Sequence, residues 1–221
     1  MRPRPGKPAR TRDRAATRAA VLAAAEEEFA RHGLEAARTE DIAQRSGVTK
    51  GMIYHYFGSK EKLYEAALEQ VFAPLLLSFQ QFAAPHSDPA QALEGVVRRV
   101  LEITSDQPGA PAMLFFETIQ NRGAYYEKIG FPSLYHVLAN ILERGRKQKI
   151  FRALDSWHTA VNIVGVCCFY YCAAQRLQSV WPGGKNPLQR SMLKQHADQA
   201  VSFILSGVQA EHMSANTSHK G

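Results

Sequence analysis

Apolar residues recur along most of this chain every three or four positions, the period of a helix with one buried face. No stretch alternates in the way a half-buried strand does, so the pattern predicts an all-α protein of about nine helices. The first helix is expected over 14–32. Val21, Leu22, Ala25 and Phe29 supply its apolar stripe, and Gly33 stands where a helix would end. Two short helices follow within 39–57. A long fourth helix is expected from Ser59 to Phe82, with Leu63, Ala67, Val71 and Leu75 on one face and a bend at Pro74.

Further along, capping side chains set the boundaries. Asp88 before Pro89 and Asn186 before Pro187 pair a cap with a proline suited to the first helical turn, and Asp155 precedes a long apolar run. These signals predict helices over 89–104, 156–179 and 187–207. Two more are expected between them, at 112–121 and 124–147. The resulting organisation is a basic flexible arm (1–13), an N-terminal three-helix unit (14–58), a C-terminal helical bundle (59–208) and a disordered polar tail (209–221).

Composition changes this picture little. With 45% hydrophobic and 21% charged residues among 221, the chain can bury a sizeable core. It has no run of about eighteen apolar residues to span a membrane. Its basic start lacks the apolar stretch of a secretory signal, so a cytoplasmic protein is expected. Three cysteines, Cys167, Cys168 and Cys172, crowd into one apolar segment and make no disulfide framework. Cys168 and Cys172 lie one turn apart, but no lysine or arginine near them in the segment would favour a thiolate, so inert core is expected. Adding His158 produces no metal-ligand spacing, and no cofactor is expected.

Charge is more informative. The net charge is +7, and residues 1–60 hold twelve Lys and Arg against seven Asp and Glu, so most of the excess sits in the first quarter. A basic end on a nearly neutral remainder points to a polyanionic partner, although a solubilising tail has the same composition.

Residues 39–57 carry the chemistry. Thr39 is placed to cap a helix whose first turn holds Glu40 and Asp41, where the helix dipole favours acids. Gly47 can take the positive φ of a tight turn, and Thr49 can cap the next helix. Val48 and Ile53 have the spacing of a hydrophobic staple. Two short helices joined by such a turn make a helix-turn-helix, with Leu22, Phe29, Ile42, Val48, Ile53 and Phe57 as its core. An αα corner in any helical protein is the alternative. Thr49, Lys50, Tyr54 and His55, with Lys60 just beyond, offer donors for phosphates and base edges. Gly51 costs a helix up to about 1 kcal/mol relative to alanine, which makes sense where a DNA backbone must come close. Tyr56 is open to either a DNA contact or a partly buried place.

The segment resembles the DNA-binding domain of the TetR/AcrR family of one-component regulators. The resemblance rests on Val21-Leu22-x-Ala24-Ala25-x-x-x-Phe29, Gly33, Thr39-x-x-Ile42-Ala43, Gly47-Val48-Thr49-Lys50-Gly51, Tyr54-x-Tyr56-Phe57 and Ser59-Lys60. It covers about residues 14–64 and implies a dimer that binds a palindromic operator. By the same resemblance Thr39, Thr49, Tyr54 and Lys60 would contact phosphates, while Lys50, Gly51 and His55 would approach bases or their backbone. The family often carries histidine directly before the phenylalanine, whereas here the order is His55-Tyr56-Phe57.

The C-terminal half resembles the family in layout. The stretch from Leu142 to Arg152 is loosely similar to the subgroup of the pyrimidine-utilisation regulator RutR. The resemblance implies a bundle that senses a small-molecule effector and a homodimer through the last two long helices. Residues 160–174 are apolar almost all round, more than a single core face needs, though a central core helix would read the same. Phe115, Phe116, Tyr125, Tyr126, Trp157, Asn162, Phe169 and Tyr170 are the candidates to line an effector pocket. The leading expectation is a ligand-responsive repressor. A DNA-organising or partner-binding protein of the same fold is the alternative. The chain has no nucleophile elbow, phosphate loop or metal-ligand cluster to suggest an enzyme.

Overall fold

The computed structural model describes residues 9–79, 82 and 88–210. Within them the chain forms nine α-helices: α1 Ala9–Ala36, α2 Thr39–Ser46, α3 Lys50–Phe57, α4 Lys60–Ser78, α5 Pro89–Asp106, α6 Ala110–Ile119, α7 Pro132–Lys147, α8 Ser156–Leu177 and α9 Arg190–Val208. The all-α expectation holds. Among these residues the β structure is one isolated bridge between Phe151 and Gln209. Beside it Arg152 N donates to the Val208 carbonyl at 2.9 Å, which fastens the end of α9 to the α7–α8 connection.

The local signals work where a cap meets its own helix. The side chains of Thr49, Ser59, Asp88 and Asp155 accept from the backbone N–H three residues on, at Met52, Lys62, Gln91 and His158. Pro74 sits inside α4 without ending it. The expected arm at 1–13 needs correction, because α1 already begins at Ala9; residues 1–8, like the tail beyond 210, lie outside the described residues. Gly33 leaves the helical region (φ 70°, ψ −178°), yet hydrogen bonding resumes and carries the helix to Ala36.

Two other boundaries differ. Helix α7 starts at Pro132, not near 124, because 120–131 is a chain of turns with Arg122 (φ 55°) and Gly123 (φ 75°) in the left-handed region. The buried Glu117 holds those turns: its backbone carbonyl accepts from Gly123 N and its carboxylate from Tyr125 N at 2.7 Å. Helix α9 starts at Arg190, since the Asn186 side chain accepts from Leu188 N, only two residues on, and so shapes a turn.

Helix α1 packs on α2, α4 and α6, while α5, α7, α8 and α9 assemble beside them. A continuous core joins both groups. Phe29 of α1 meets Tyr64 of α4 edge-on at 4.9 Å, and Tyr64 meets Tyr125 the same way at 5.2 Å. No helix of the described residues is long and apolar enough to cross a membrane.

Candidate nucleic-acid interface

Helices α2 and α3 are short because a glycine closes each. Gly47 (φ 71°, ψ 20°) returns its N–H to the carbonyls of Ala43 and Gln44, and Gly58 (φ 84°) caps Tyr54. Ile42, Ile53, Phe57, Leu22 and Phe29 are buried, and Val48 packs at their edge. These apolar positions aim one side of α3 inward and leave Lys50, Gly51, Met52, Tyr54 and His55 exposed.

A long-range polar clamp, which no local pattern in the sequence marks, fixes α2 on α1. Glu28 is 2% exposed; its carboxylate accepts from Arg38 N at 3.3 Å and from Arg45 at 3.5 Å, while Arg45 also reaches Glu27 at 3.1 Å. Arg38 occupies the cap position of α2. Thr39 is therefore the first helical residue and not the cap, and it is buried with its hydroxyl beside Glu40.

The sequence candidates divide into two groups. Thr49, Lys50, Gly51, Tyr54 and His55 share the exposed first turns of α3. A Cβ on Gly51 would meet nothing closer than the Thr49 hydroxyl at 3.9 Å, so the fold itself imposes no glycine there. Lys50 pairs with Glu40. Its hydrogen bond holds the Glu40 carboxyl below the ordinary carboxylate range, and Glu40 in turn raises the Lys50 ammonium. Thr39, Tyr56 and Lys60 stand apart. Tyr56 is half-buried under Arg14, whose guanidinium carbon lies 5.9 Å from the ring centre. Lys60 donates to the carbonyls of Glu35 and Ala37 at 3.0 and 3.2 Å, which satisfies the end of α1.

Arg14 and Arg18 are functional candidates that sequence reading left within the general basic excess. They are one turn apart on α1, exposed, and lie over Tyr56 and Phe57 of α3. Their four-residue spacing is the signal that could have found them. Together with Lys50 and the free N–H groups at the start of α3, they present a cationic surface beside aromatic and hydroxyl donors, suited to a phosphate backbone.

The eight pocket candidates do not come together. Phe115 and Phe116 border a cleft between α1, α6 and α8. Tyr125 packs on Tyr64, while Tyr126 stacks on Phe131 at 5.1 Å inside the bundle. Trp157, Asn162 and Phe169 are exposed along α8, and Tyr170 stacks on His196 of α9 at 3.8 Å. Aromatic content alone did not tell which face each ring takes. Burial pushes the Cys168 thiol up to about 12 and raises Cys167 and Cys172 as well, which keeps all three protonated.

Comparison with known proteins agrees with this geometry. A family model described as bacterial regulatory proteins of the tetR family matches residues 21–67. A second, described as a tetracyclin repressor-like C-terminal domain, matches residues 89–204. The HTH-type transcriptional repressor NicS of Pseudomonas putida is 30% identical over 174 residues, covering 74% of this chain and 79% of NicS. The HTH-type transcriptional regulator RutR of Escherichia coli is 35% identical over 114 residues, 50% of this chain and 51% of RutR. The chain thus spans about half of RutR. The solved ketosteroid transcriptional regulator KstR2 of Mycobacterium tuberculosis superposes with a TM-score of 0.69 at 22% identity, over 88% of this chain and 95% of that one. At that identity the likeness concerns the fold alone.

Proposed function

The chain belongs to the TetR family of bacterial regulatory proteins, and on that premise we propose that it is a dimeric repressor which a small-molecule effector releases from a palindromic operator. Its place among transcriptional regulators follows from the family. Repression is supported by the name of the relative NicS.

The observation that carries the dimer is the outer face of α8. Trp157, Val161, Gly165 and Phe169 follow one another at four-residue steps and all are exposed; Phe169 is 63% and, on α9, Phe203 70% exposed. Ala160, Ile163, Val164, Cys167, Tyr171 and Ala174 already bury the other side. A helix that is apolar on both sides suits a bundle shared between two copies, with ridges at four-residue spacing seated in the partner's grooves. Two copies related by a twofold axis present two α3 helices, as a palindromic site requires.

In this reading α3 lies in the major groove with Lys50, Gly51, Tyr54 and His55 against the DNA, while Arg14 and Arg18 neutralise the flanking backbone. The effector acts by favouring an arrangement in which the two α3 helices no longer match the half-site spacing. Selection of bound sequences from random duplex DNA, followed by mass measurement of the complex, tests the reading. Inverted repeats carrying two chains, or a multiple of two, are expected. Asymmetric sites occupied by a single chain would refute it.

A further inference from the structure

A cleft of about 550 Å³ opens where α1, α6 and α8 meet, within the roughly 300–1,000 Å³ common for small-molecule sites. Phe115 and Phe116 of α6 supply aromatic surface beside Ala112, Cys172 supplies a small thiol, and Arg31 of α1 and Arg176 of α8 supply guanidinium groups. Phe115 is 48% exposed.

The charges define what fits. Glu27 lines this cleft and lies 3.6 Å from Arg31 and 3.1 Å from Arg45, so its carboxylate already faces two guanidinium groups. Glu26 stands beside Gly109 at the wall, where burial raises its carboxyl and disfavours the charge. Arg176 is exposed and has no ion pair among the described residues. The cleft therefore has surplus positive charge next to a ring-shaped apolar wall. A cation would be repelled, and a neutral sugar, although it could stack on the rings, would leave the guanidinium charge unmatched. A carboxylate matches the planar fork of arginine in a way that a neutral polar group does not.

We propose that this cleft binds a small aromatic carboxylate, its ring against Phe115 and Phe116 and its carboxylate on Arg176, with Arg31 as the second cation. Such a ligand touches α1, which supports α3, and α8, which carries the exposed apolar face. Occupancy would couple the setting of α1 to that of α8. The regulatory consequence rests on the repressor reading above, whereas binding itself does not.

The test is calorimetric titration of the full chain with benzoate, phenylacetate and 1-naphthoate, with benzamide as the neutral counterpart. Saturable binding of at least one carboxylate is expected, with benzamide about tenfold weaker or worse. Arg176→Gln should lose about tenfold or more by the same reasoning, and Ala112→Phe, which fills the cleft, should abolish binding. Lys147→Gln, on the end of α7, should change nothing. Absence of binding by all three carboxylates, or unchanged binding in both cleft variants, would overturn the site. Operator titration of the saturated protein separates the two proposals. An operator affinity indifferent to the bound carboxylate would remove the effector reading while the Arg176 dependence still supports the site. A response that survives Ala112→Phe would place the effector elsewhere and overturn the site.

Discussion

Lys50, the first residue of α3, holds its ammonium against the Glu40 carboxylate of α2, with Nζ 5.9 Å from the centre of the Tyr54 ring. Both partners are about half exposed, so the pair contributes little to stability. Its effect falls on binding. To contact DNA, Lys50 must share or leave Glu40, and the Glu40 charge itself repels phosphate. Glu40→Gln should therefore tighten operator binding by on the order of threefold at low salt, with the gain fading as salt rises. Fluorescence anisotropy over a salt series measures this. Weaker binding by Glu40→Gln would show instead that Glu40 orients Lys50 for its contact.

Gly51 makes a prediction with two opposite signs. Open space surrounds a Cβ at this position, so Gly51→Ala should hold or raise stability, by up to about 1 kcal/mol. The same methyl group would stand on the surface that approaches DNA, and operator affinity should fall. Urea unfolding and anisotropy on the same preparation decide it. Unchanged affinity would mean that DNA does not come close to the first turn of α3.

The clarity of α3 in the sequence, against the obscurity of its surroundings, has a physical cause. Thr49, Gly47 and the Val48–Ile53 spacing act within a few residues, so their signals are complete in the local string. Lys60 looked equally like a free DNA contact, but its partners, the carbonyls of Glu35 and Ala37, lie more than twenty residues back. Glu28 and Arg45 form their clamp across seventeen residues, also beyond any local pattern. Asn186-Pro187 repeats the letters of a helix cap, yet the amide reaches only to Leu188 and makes a turn. The aromatic residues chosen for one pocket were legible as apolar, not as neighbours, because ring type does not encode which helix faces which.

Glu117 provides a stability prediction. It is fully buried, and its carboxylate accepts from the Tyr64 hydroxyl at 3.2 Å, the Asn121 amide at 2.6 Å and Tyr125 N at 2.7 Å. These bonds tie α4, α6 and the turns after α6 together. Glu117→Ala would leave several buried donors without partners and should cost about 2–4 kcal/mol, whereas Glu117→Gln keeps two acceptor bonds and should cost less. Urea midpoints check the order. Equal losses in the two variants would mean that the second acceptor oxygen and the charge, which glutamine lacks, carry the whole effect.

The same site predicts a loss of stability in alkali. Burial, followed by the Glu117 charge, raises the Tyr64 phenol above its ordinary value of 10.0, and burial pushes Tyr135 up to about 12. The folded protein thus keeps these protons when the unfolded chain has released them. Their contribution is fully present below about pH 10 and is lost as the pH rises through the raised values. Unfolding midpoints should fall progressively from about pH 10 toward pH 12. Tyr64→Phe, although less stable at neutral pH, should show a shallower fall; an equal slope would assign the loss to other groups.

The exposed rings of α8 and α9 permit a test of assembly separable from folding. Phe169 and Phe203 are largely exposed, so Phe169→Glu with Phe203→Glu should leave the single chain intact, each change lying near the ±0.5 kcal/mol usual for surface positions. Buried charge between two copies is another matter, because four carboxylates would be brought into a face otherwise made of Val161, Gly165 and these rings. Sedimentation should report a monomer, and far-UV circular dichroism an unchanged helix content. Operator affinity should then fall by about a hundredfold or more, because each half-site is held without the second α3. A variant that stays dimeric would place the interface on another face, and the twofold reading of the operator would have to be rebuilt from there.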